Sequence, residues 1–376
     1  MKANGLDQSK AIYTLLLDMN NICKISLVDK SIGSDGAEYG MISTALRIVG
    51  NVLRKKDFDY CVAAWDGEGS GIMRWELYSD YKANRGKKYA LFGGDNDYDR
   101  SMREFVKVVI GRRERKNSMG ETDDESFARQ KPILQSMFEE LCIRQYEYER
   151  VEGDDIIANY VKNRLDNEKV VIVSSDRDIA QLISENVIIY NPRIRDFITV
   201  SNCVEKLGIR SDNIVLDKVI CGDASDNIKG VKGVGSTTLA KYFPEIRTRK
   251  LTLEEVVSDA RKINEERKNA KKRPLQALTN IADGITDGVQ GDSLYKVNMA
   301  IIDLSEPLLT DSARKDMEET MRGVMDTSDR NVRNVYEIAK ENNIVSLTNE
   351  DRFGEVIGNY SRIVMMENKR YKENKI

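Results

Sequence analysis

The sequence predicts an α/β fold, a mainly parallel sheet flanked by helices, followed by a helical C-terminal region. Three observations carry that expectation. Short apolar runs end in acidic residues at Asp18, Asp66 and Asp178. Stretches with apolar residues every three or four positions separate those runs, the spacing of amphipathic helices. From Ser211 onward the character is helical, with glycine-marked turns at 230–235. Strands that alternate with helices imply parallel neighbours joined by crossovers. Taken in order, residues 11–18 (AIYTLLLD) read as a buried strand and 39–56 as an amphipathic helix. Residues 59–66 (DYCVAAWD) give a second strand, and a helix over 132–141 leads into a third around 142–148. GDDIIANYVKNRL at 153–165 reads as the next helix, with further strands at 170–175 and 186–190. The charged stretch before Pro132 has too little apolar content for a core, so it is expected to protrude as a mobile helical or loop insertion. Beyond the turns, 251–273 reads as a charged helix and 295–304 contains a short apolar run. Residues 330–341 read as a helix that packs back onto the body.

Composition narrows the chemistry. With 376 residues and 40% hydrophobic content, the chain can bury a sizeable core, as two domains or one large domain with additions. It contains no histidine, which excludes imidazole bases, histidine triads and His-ligated zinc. Five scattered cysteines with no C-x-x-C pair argue against a disulfide framework and fit a reducing, cytoplasmic setting. No long apolar run suggests a leader or a membrane span. The net charge of −3 hides local excesses of positive charge. Residues 74–116 hold twelve Lys/Arg against seven Asp/Glu, and 247–273 hold ten against five. Either stretch alone is equally well read as a solvated charged helix.

Acidic residues cluster at five places: Asp18, Asp66, Glu152 with Asp154 and Asp155, Asp176 with Asp178, and Asp223 with Asp226. An aspartate between a strand and a helix is often only an N-cap, and each of these taken singly reads that way. Together they exceed what capping needs. In open α/β sheets the ligand crevice lies beyond the carboxyl ends of the strands. Carboxylates gathered there repel one another unless cations neutralise them. The reading is a site for two hard divalent ions, Mg2+ with Mn2+ as an alternative, and hence phosphoryl-transfer chemistry. A second signal is GDASDNIKGVKGVG at 222–235, followed by STTLAKYF. Its glycine turns suit a helix-hairpin-helix in which backbone groups of Gly230, Lys232, Gly233 and Gly235, with Ser236 and Thr237, hold a phosphate without reading sequence. A third is Arg74 followed by YSDYKANRGKK at 78–88, where Tyr81 lies beside Lys82 and Arg85, a pairing suited to a scissile phosphate flanked by a stacked base.

These motifs together resemble the flap endonuclease family of structure-specific 5′ nucleases, within it the bacteriophage ribonuclease H or 5′-3′ exonuclease type. The resemblance covers roughly residues 11–245 and rests on WDG at 65–67, Arg74 with DYKANRG at 80–86, VEGDD at 151–155, VSSDRDIAQL at 173–182 and GDASDNIKGVKGVG. It implies a PIN-like sheet core, a helical arch over the active site, and a helix-hairpin-helix clamp. The nuclease domain would span 1–210, with the arch at about 78–131, and the hairpin and C-terminal helical region 211–376. It implies metal ligation by Asp18, Asp66, Glu152, Asp154 and Asp155 at one ion and by Asp176, Asp178, Asp223 and Asp226 at the other. Lys82 and Arg85 would stabilise the scissile phosphate, with Asp154 and Asp176 central to catalysis. Arg74 would contact DNA, Tyr81 would stack near the terminal base, and hairpin carbonyls would bind K+. The implied task is Mg2+-dependent cleavage of 5′ ends and flaps in DNA and of RNA in RNA–DNA hybrids, removing primers in phage replication. The expected form is a stand-alone monomer in the host cytoplasm, served by a separate polymerase and ligase. A single-strand binding protein or sliding clamp would be its partner. The sequence departs from the family at LDMNN, where cellular relatives have Gly after the aspartate, and at Lys229, where many members have proline.

Rival readings are a PIN-type ribonuclease, which lacks the hairpin, and a catalytically silent DNA-structure binder, against which the full acidic set speaks. A Mg2+-dependent phosphatase fits less well, since LLLDMNN lacks the D-x-D pair that such enzymes place after the first strand.

Overall fold

A computed structural model describes residues 10–85, 87–92, 104–109, 116, 117, 120–286 and 292–375. The N-terminal half alternates strand and helix. Strand β1 (Ile12–Asp18) is followed by α1 (Met19–Ser26) and α2 (Gly40–Leu53), then β2 (Tyr60–Asp66) and α3 (Ile72–Leu77). Strands β3 (Lys87–Phe92) and β4 (Glu104–Val109) precede α4 (Asp123–Glu140), β5 (Arg144–Tyr148), α5 (Gly153–Lys162), β6 (Glu168–Val173), β7 (Val187–Asn191) and β8 (Asp196–Ile198). Six strands form one sheet in the order β5-β2-β1-β6-β7-β8. All neighbours are parallel except β7 and β8. The mainly parallel sheet expected from the strand–helix alternation is therefore present. Two elements go beyond that expectation, α1 directly after Asp18 and the antiparallel edge strand β8.

Because successive side chains of a strand point to opposite faces, each strand feeds two cores. Leu15, Leu17, Ala63, Trp65, Val171 and Val173 pack on one face with α1, α2 and α4. Leu16, Val62, Ala64 and Ile172 pack on the other with α5 and the helices that follow the sheet. Those helices are α6 (Cys203–Leu207), α7 (Ile214–Cys221), α8 (Ser236–Tyr242), α9 (Leu253–Asn269), α10 (Gln276–Asp283), α11 (Asp292–Ile302) and α12 (Asp311–Thr320). A two-stranded hairpin, β9 (Gly222–Asp223) with β10 (Ile228–Lys229), lies between α7 and α8. The last helices, α13 (Val332–Glu341), α14 (Val345–Thr348), α15 (Glu350–Ile357) and α16 (Ser361–Asn374), return to the first face. There Val335, Ala339, Leu347, Tyr360 and Ile363 join the core of α2. Among the described residues, no helix is long and apolar enough to cross a membrane.

The insertion differs from its expected helical form. Lys87–Phe92 and Glu104–Val109 pair as an antiparallel ladder, with Lys87 opposite Val109 and Phe92 opposite Glu104. KKYALF and EFVKVV are rich in aromatic and β-branched residues, which fit a pleated surface better than a helix. Within the expected arch, residues 86, 93–103, 110–115, 118 and 119 lie outside the described residues.

Candidate active site

The parallel sheet delivers the acidic residues to its carboxyl edge. Asp18 and Asp66 are the last residues of β1 and β2, and Asp176 follows β6 by three positions. Glu152, Asp154 and Asp155 stand at the start of α5, directly behind those strand ends. Several carboxylates are held in place by backbone groups, as capping predicts. Asp18 Oδ1 accepts from Asn21 N at 3.1 Å, and its Oδ2 accepts from Ser174 Oγ at 2.7 Å. Asp66 Oδ1 accepts from Gly153 N at 2.8 Å and its Oδ2 from Asn20 Nδ2 at 2.6 Å. Asp176 Oδ1 accepts from Asp178 N at 2.9 Å. Gly67 is required by packing: a Cβ there would lie 1.8 Å from the Tyr148 carbonyl oxygen.

Five of these groups, Asp18, Asp66, Glu152, Asp154 and Asp176, are linked electrostatically. Burial, helped by Asp176 and Asp66, pushes the Asp18 carboxyl up to about 7 against the hydrogen bonds from Ser174 and Asn21. Burial likewise raises Asp154 well above the usual carboxylate range, reinforced by Asp18, Asp176, Glu152 and Asp66. A set of oxygens that resists holding its own negative charge is what a hard cation relieves. A second group adjoins it. Ligand oxygens of Asp178, Asp223 and Asp226 lie within 4.8 Å of one another. Lys218, on α7, forms ion pairs with Asp178 and, at 2.5 Å, with Asp223. Burial raises Asp178 to about 6 despite Lys218, whereas Asp223, which is half-buried, is held at about 2 by Lys218 and Ser225.

The structure separates other expected ligands from this group. Asp155 is fully buried, and Arg74 grips it with two bonds of 2.5 and 3.0 Å while Leu308 N donates to it at 2.9 Å. Its expected ligand role is therefore corrected: its oxygens are consumed inside the core. Arg74, expected at the DNA surface, is 5% exposed and also bonds Glu152 at 2.7 Å and the Ile301 carbonyl at 2.9 Å. A guanidinium buried beside two carboxylates works as an internal clamp rather than a DNA contact. Tyr81, expected to stack on a base, is 4% exposed and donates its hydroxyl to Glu152 at 3.1 Å. Its ring is part of the core and cannot stack from there. Glu152 is thus enclosed by Arg74, Tyr81 and Lys82. Burial alone would raise its carboxyl, but Lys82 and Arg74 hold it down at about 2.

Lys82 bridges the two acidic groups. Its ammonium pairs with Glu152, while its backbone N–H donates to the Asp226 carbonyl at 2.8 Å. Its φ of 54° is left-handed, an unfavourable choice for a lysine that the surrounding bonds enforce. Asn84 Nδ2 donates to the Ala224 carbonyl and Asn227 Nδ2 to the Asp80 carbonyl, both at 2.8 Å. The loop after α3 is thereby laced to the hairpin that carries Asp223 and Asp226. The Arg85 side chain lies outside the described residues.

At 230–235 the chain makes the turn between α7 and α8. Gly230 and Gly222 cross at close range, since a Cβ on Gly230 would lie 2.1 Å from the Cys221 carbonyl carbon. Lys232, Gly233, Gly235, Ser236 and Thr237 are exposed. The turn is braced from behind. Carbonyls of Lys229, Gly230 and Lys232 accept from Asn298, Thr286 and Asn280, at 2.9, 2.8 and 2.8 Å. These bonds bear on the K+ expected at hairpin carbonyls, because three of those oxygens already have side-chain donors. Ser236 Oγ donates to Asp217 at 3.0 Å.

Sequence reasoning missed Lys218, Ser174, Asn20 and Asn21, none of which is acidic or glycine. A signal for Lys218 existed, a lysine five residues before Asp223 on the helix leading into the hairpin.

A model of the 5′-3′ exonuclease N-terminal, resolvase-like domain matches residues 15–208. The chain is 28% identical over 254 residues to DNA polymerase I of Caldicellulosiruptor bescii, covering 65% of this chain and 24% of that protein. It is 25% identical over 256 residues to a 5′-3′ exonuclease of Aquifex aeolicus, covering 68% and 74%. It therefore spans about a quarter of the polymerase and about three quarters of the exonuclease. Among solved structures, T5 5′-exonuclease with bound zinc superposes with a TM-score of 0.54 at 15% identity, over 94% of this chain and 99% of that one. The bacteriophage T5 flap endonuclease, in a pseudo-enzyme–product complex with DNA and metal ions, gives 0.52 at 17% identity, over 87% and 99%. At such identities the likeness is one of fold.

Proposed function

The chain belongs to the flap endonuclease/5′-3′ exonuclease family, a family of phosphodiester hydrolases, and from that premise we propose that it is a Mg2+-dependent nuclease. Its substrates would be 5′ ends and 5′ flaps of DNA and the RNA strand of RNA–DNA hybrids, with primer removal in phage replication as its task. The observation that carries this reading is the gathering of Asp18, Asp66, Asp154 and Asp176 at one sheet edge, where burial, reinforced by neighbouring carboxylates, raises Asp18 and Asp154. The carboxylate donors suit hard divalent ions: Asp178, Asp223 and Asp226, whose oxygens lie within 4.8 Å of one another, would hold one, and Asp18, Asp66, Asp154 and Asp176 would draw together around another. Bound there, the ions would supply water activation and charge stabilisation for in-line displacement.

The chain's own residues do the rest. Lys82, freed from Glu152 by an arriving phosphate, would face the charge that develops on it, because its backbone is anchored to the Asp226 carbonyl at 2.8 Å. Lys218 keeps Asp178 and Asp223 together before any ion arrives. The exposed turn 230–235 would hold a duplex backbone without sequence preference, leaving the choice of cleavage point to the structure of the 5′ end.

The test is cleavage of a 5′-labelled flap duplex and of an RNA–DNA hybrid, with and without Mg2+. Asp154→Asn and Asp176→Asn should each lower single-turnover cleavage by about a thousandfold or more while duplex affinity stays within about threefold. Near-normal turnover in both variants would show that the acidic group is not the source of activity.

A further inference from the structure

The α9–α10 hairpin ends in a tip for which the nuclease reading has no use. Its sequence, RKNAKKR at 267–273, carries five basic side chains and no acidic one. Lys268, Lys271, Lys272 and Arg273 are exposed. Lys268 has an exposed neighbour in Glu265 at 3.4 Å, and among the described residues Lys271, Lys272 and Arg273 form no ion pair. The backbone beneath these charges is built rather than frayed. Lys272 N donates to the Arg267 carbonyl and Lys271 N to the Lys268 carbonyl, each at 2.8 Å, the paired bonds of a Schellman ending. Arg267 Nε closes the loop on the Arg273 carbonyl at 2.9 Å. Lys271 occupies the left-handed position of that motif, with φ 56°, where glycine is the usual choice. A lysine there accepts backbone strain to place a charge.

The tip leads directly into α10, which packs against the turn between α7 and α8. Helix α10 starts three residues beyond Arg273, and its Gln276, Ala277 and Asn280 line a cleft of about 480 Å³ with Lys232, Gly233 and Ile285. Two bonds tie the far side of that cleft together: Asn280 Nδ2 to the Lys232 carbonyl, and Lys232 N to the Ile285 carbonyl, both at 2.8 Å. Lys232 lines one wall of this cleft, and the basic tip lies three residues before the helix that supplies Gln276, Ala277 and Asn280 to it.

We propose that the α9–α10 tip is a second contact for the phosphate backbone of a nucleic-acid duplex, engaging phosphates next to those held by the 230–235 turn. Lys268, Lys271, Lys272 and Arg273 are its donors. The inference rests on the duplex-binding role proposed for that turn and extends the footprint along the strand. Regularly spaced phosphates suit a rigid array of cations braced against a second backbone site.

Binding of a blunt DNA duplex is measured across a salt series for wild type and for a variant combining Lys271→Ala, Lys272→Ala and Arg273→Ala. At about 0.1 M salt the variant should bind about tenfold more weakly, with a log–log salt slope flatter by about two to three, close to one for each phosphate that the variant no longer neutralises. Lys271→Gly supplies a second variant in which folding cannot be blamed: its thermal midpoint should be unchanged or higher, while duplex affinity falls about twofold. Unchanged affinity and slope in the triple variant would overturn the assignment, and so would weaker binding at an unchanged slope. If the wild type bound duplex but cleaved no flap with Mg2+ present, the nuclease reading would fail and the tip assignment would stand.

Discussion

At the end of β1 the Asp18 carboxylate accepts bonds from Asn21 N and Ser174 Oγ, yet burial beside other acidic groups still pushes its pKa up to about 7. A carboxyl with a raised folded pKa keeps its proton where the unfolded chain has lost it, so stability falls as pH rises between the two values. Asp154 is raised in the same direction, and Asp178 to about 6, so the three act together. Glu152 and Asp223, both held at about 2, contribute stability that is lost only in strong acid, outside that window. The metal-free protein should therefore lose thermal stability as pH rises from about 4 to about 7. Mg2+ should restore more of it at pH 7.5 than at pH 5. Scanning calorimetry over that range decides; a midpoint that climbs with pH and ignores Mg2+ would rule out the charge-crowded site. Asp18→Asn should raise the metal-free midpoint while removing cleavage, because it deletes a repulsive charge that the chemistry needs. Lys82→Ala leaves Glu152 still paired with Arg74 and Tyr81, so the fold should tolerate it. Its single-turnover rate should drop by about a hundredfold with affinity changed much less, and a loss confined to affinity would remove Lys82 from the chemistry.

Among the elements, the β9–β10 hairpin and the turn after it are positioned by backbone contact rather than by large side chains. Gly222 and Gly230 meet so closely that a Cβ on either falls within 2.4 Å of the other strand's backbone. Gly230→Ala should cost roughly 2–4 kcal/mol, since neither backbone can withdraw without breaking the hairpin. Gly235→Ala, where a Cβ would meet nothing within 4 Å, should be close to neutral in stability. Urea unfolding of the two variants checks the contrast, and equal losses would show that the crossing is not tight. The same dependence on context explains the insertion. Its charge content was legible, but KKYALF and EFVKVV became strands because each offered the other a partner, and pairing across a gap is not visible in local propensity. By contrast, α9 was legible at its start, while its end at Asn269 falls four residues short of the expected 273. It begins in a Thr252/Glu255 capping box, a pattern the sequence displays directly.

Over the whole molecule, the chain leaves the nuclease sheet after β8, builds the α6–α12 layer on one face, and returns through α13–α16 to the other. That return is pinned by a buried charge group. Glu367, 1% exposed, pairs with Arg144 of β5 at 3.1 Å and with Arg370 at 2.9 Å, and Arg370 lies 3.9 Å from the centre of the Tyr60 ring. Glu367→Ala would strand the Arg144 guanidinium in the core, at a cost of about 3–5 kcal/mol. The thermal midpoint should fall accordingly, with cleavage retained below it; no fall would mean that water enters and compensates. The sequence by itself determined the alternating sheet and the acidic residues at its strand ends. Apolar periodicity and an acid at a strand's carboxyl end are local facts, and the parallel sheet then sends Asp18, Asp66 and Asp176 to the same edge. Only the tertiary structure decided which charges face that edge and which face the core. Asp154 and Asp155 are neighbours, but the rotation of about 100° between successive helical residues carries Asp155 inward, where Arg74 and the Leu308 amide meet it from distant parts of the chain. Arg74 and Tyr81 are basic and aromatic in the sequence, yet their exposure depends on Glu152 and Ile301. Burial is a property of who packs against whom, and composition at a single position does not encode it.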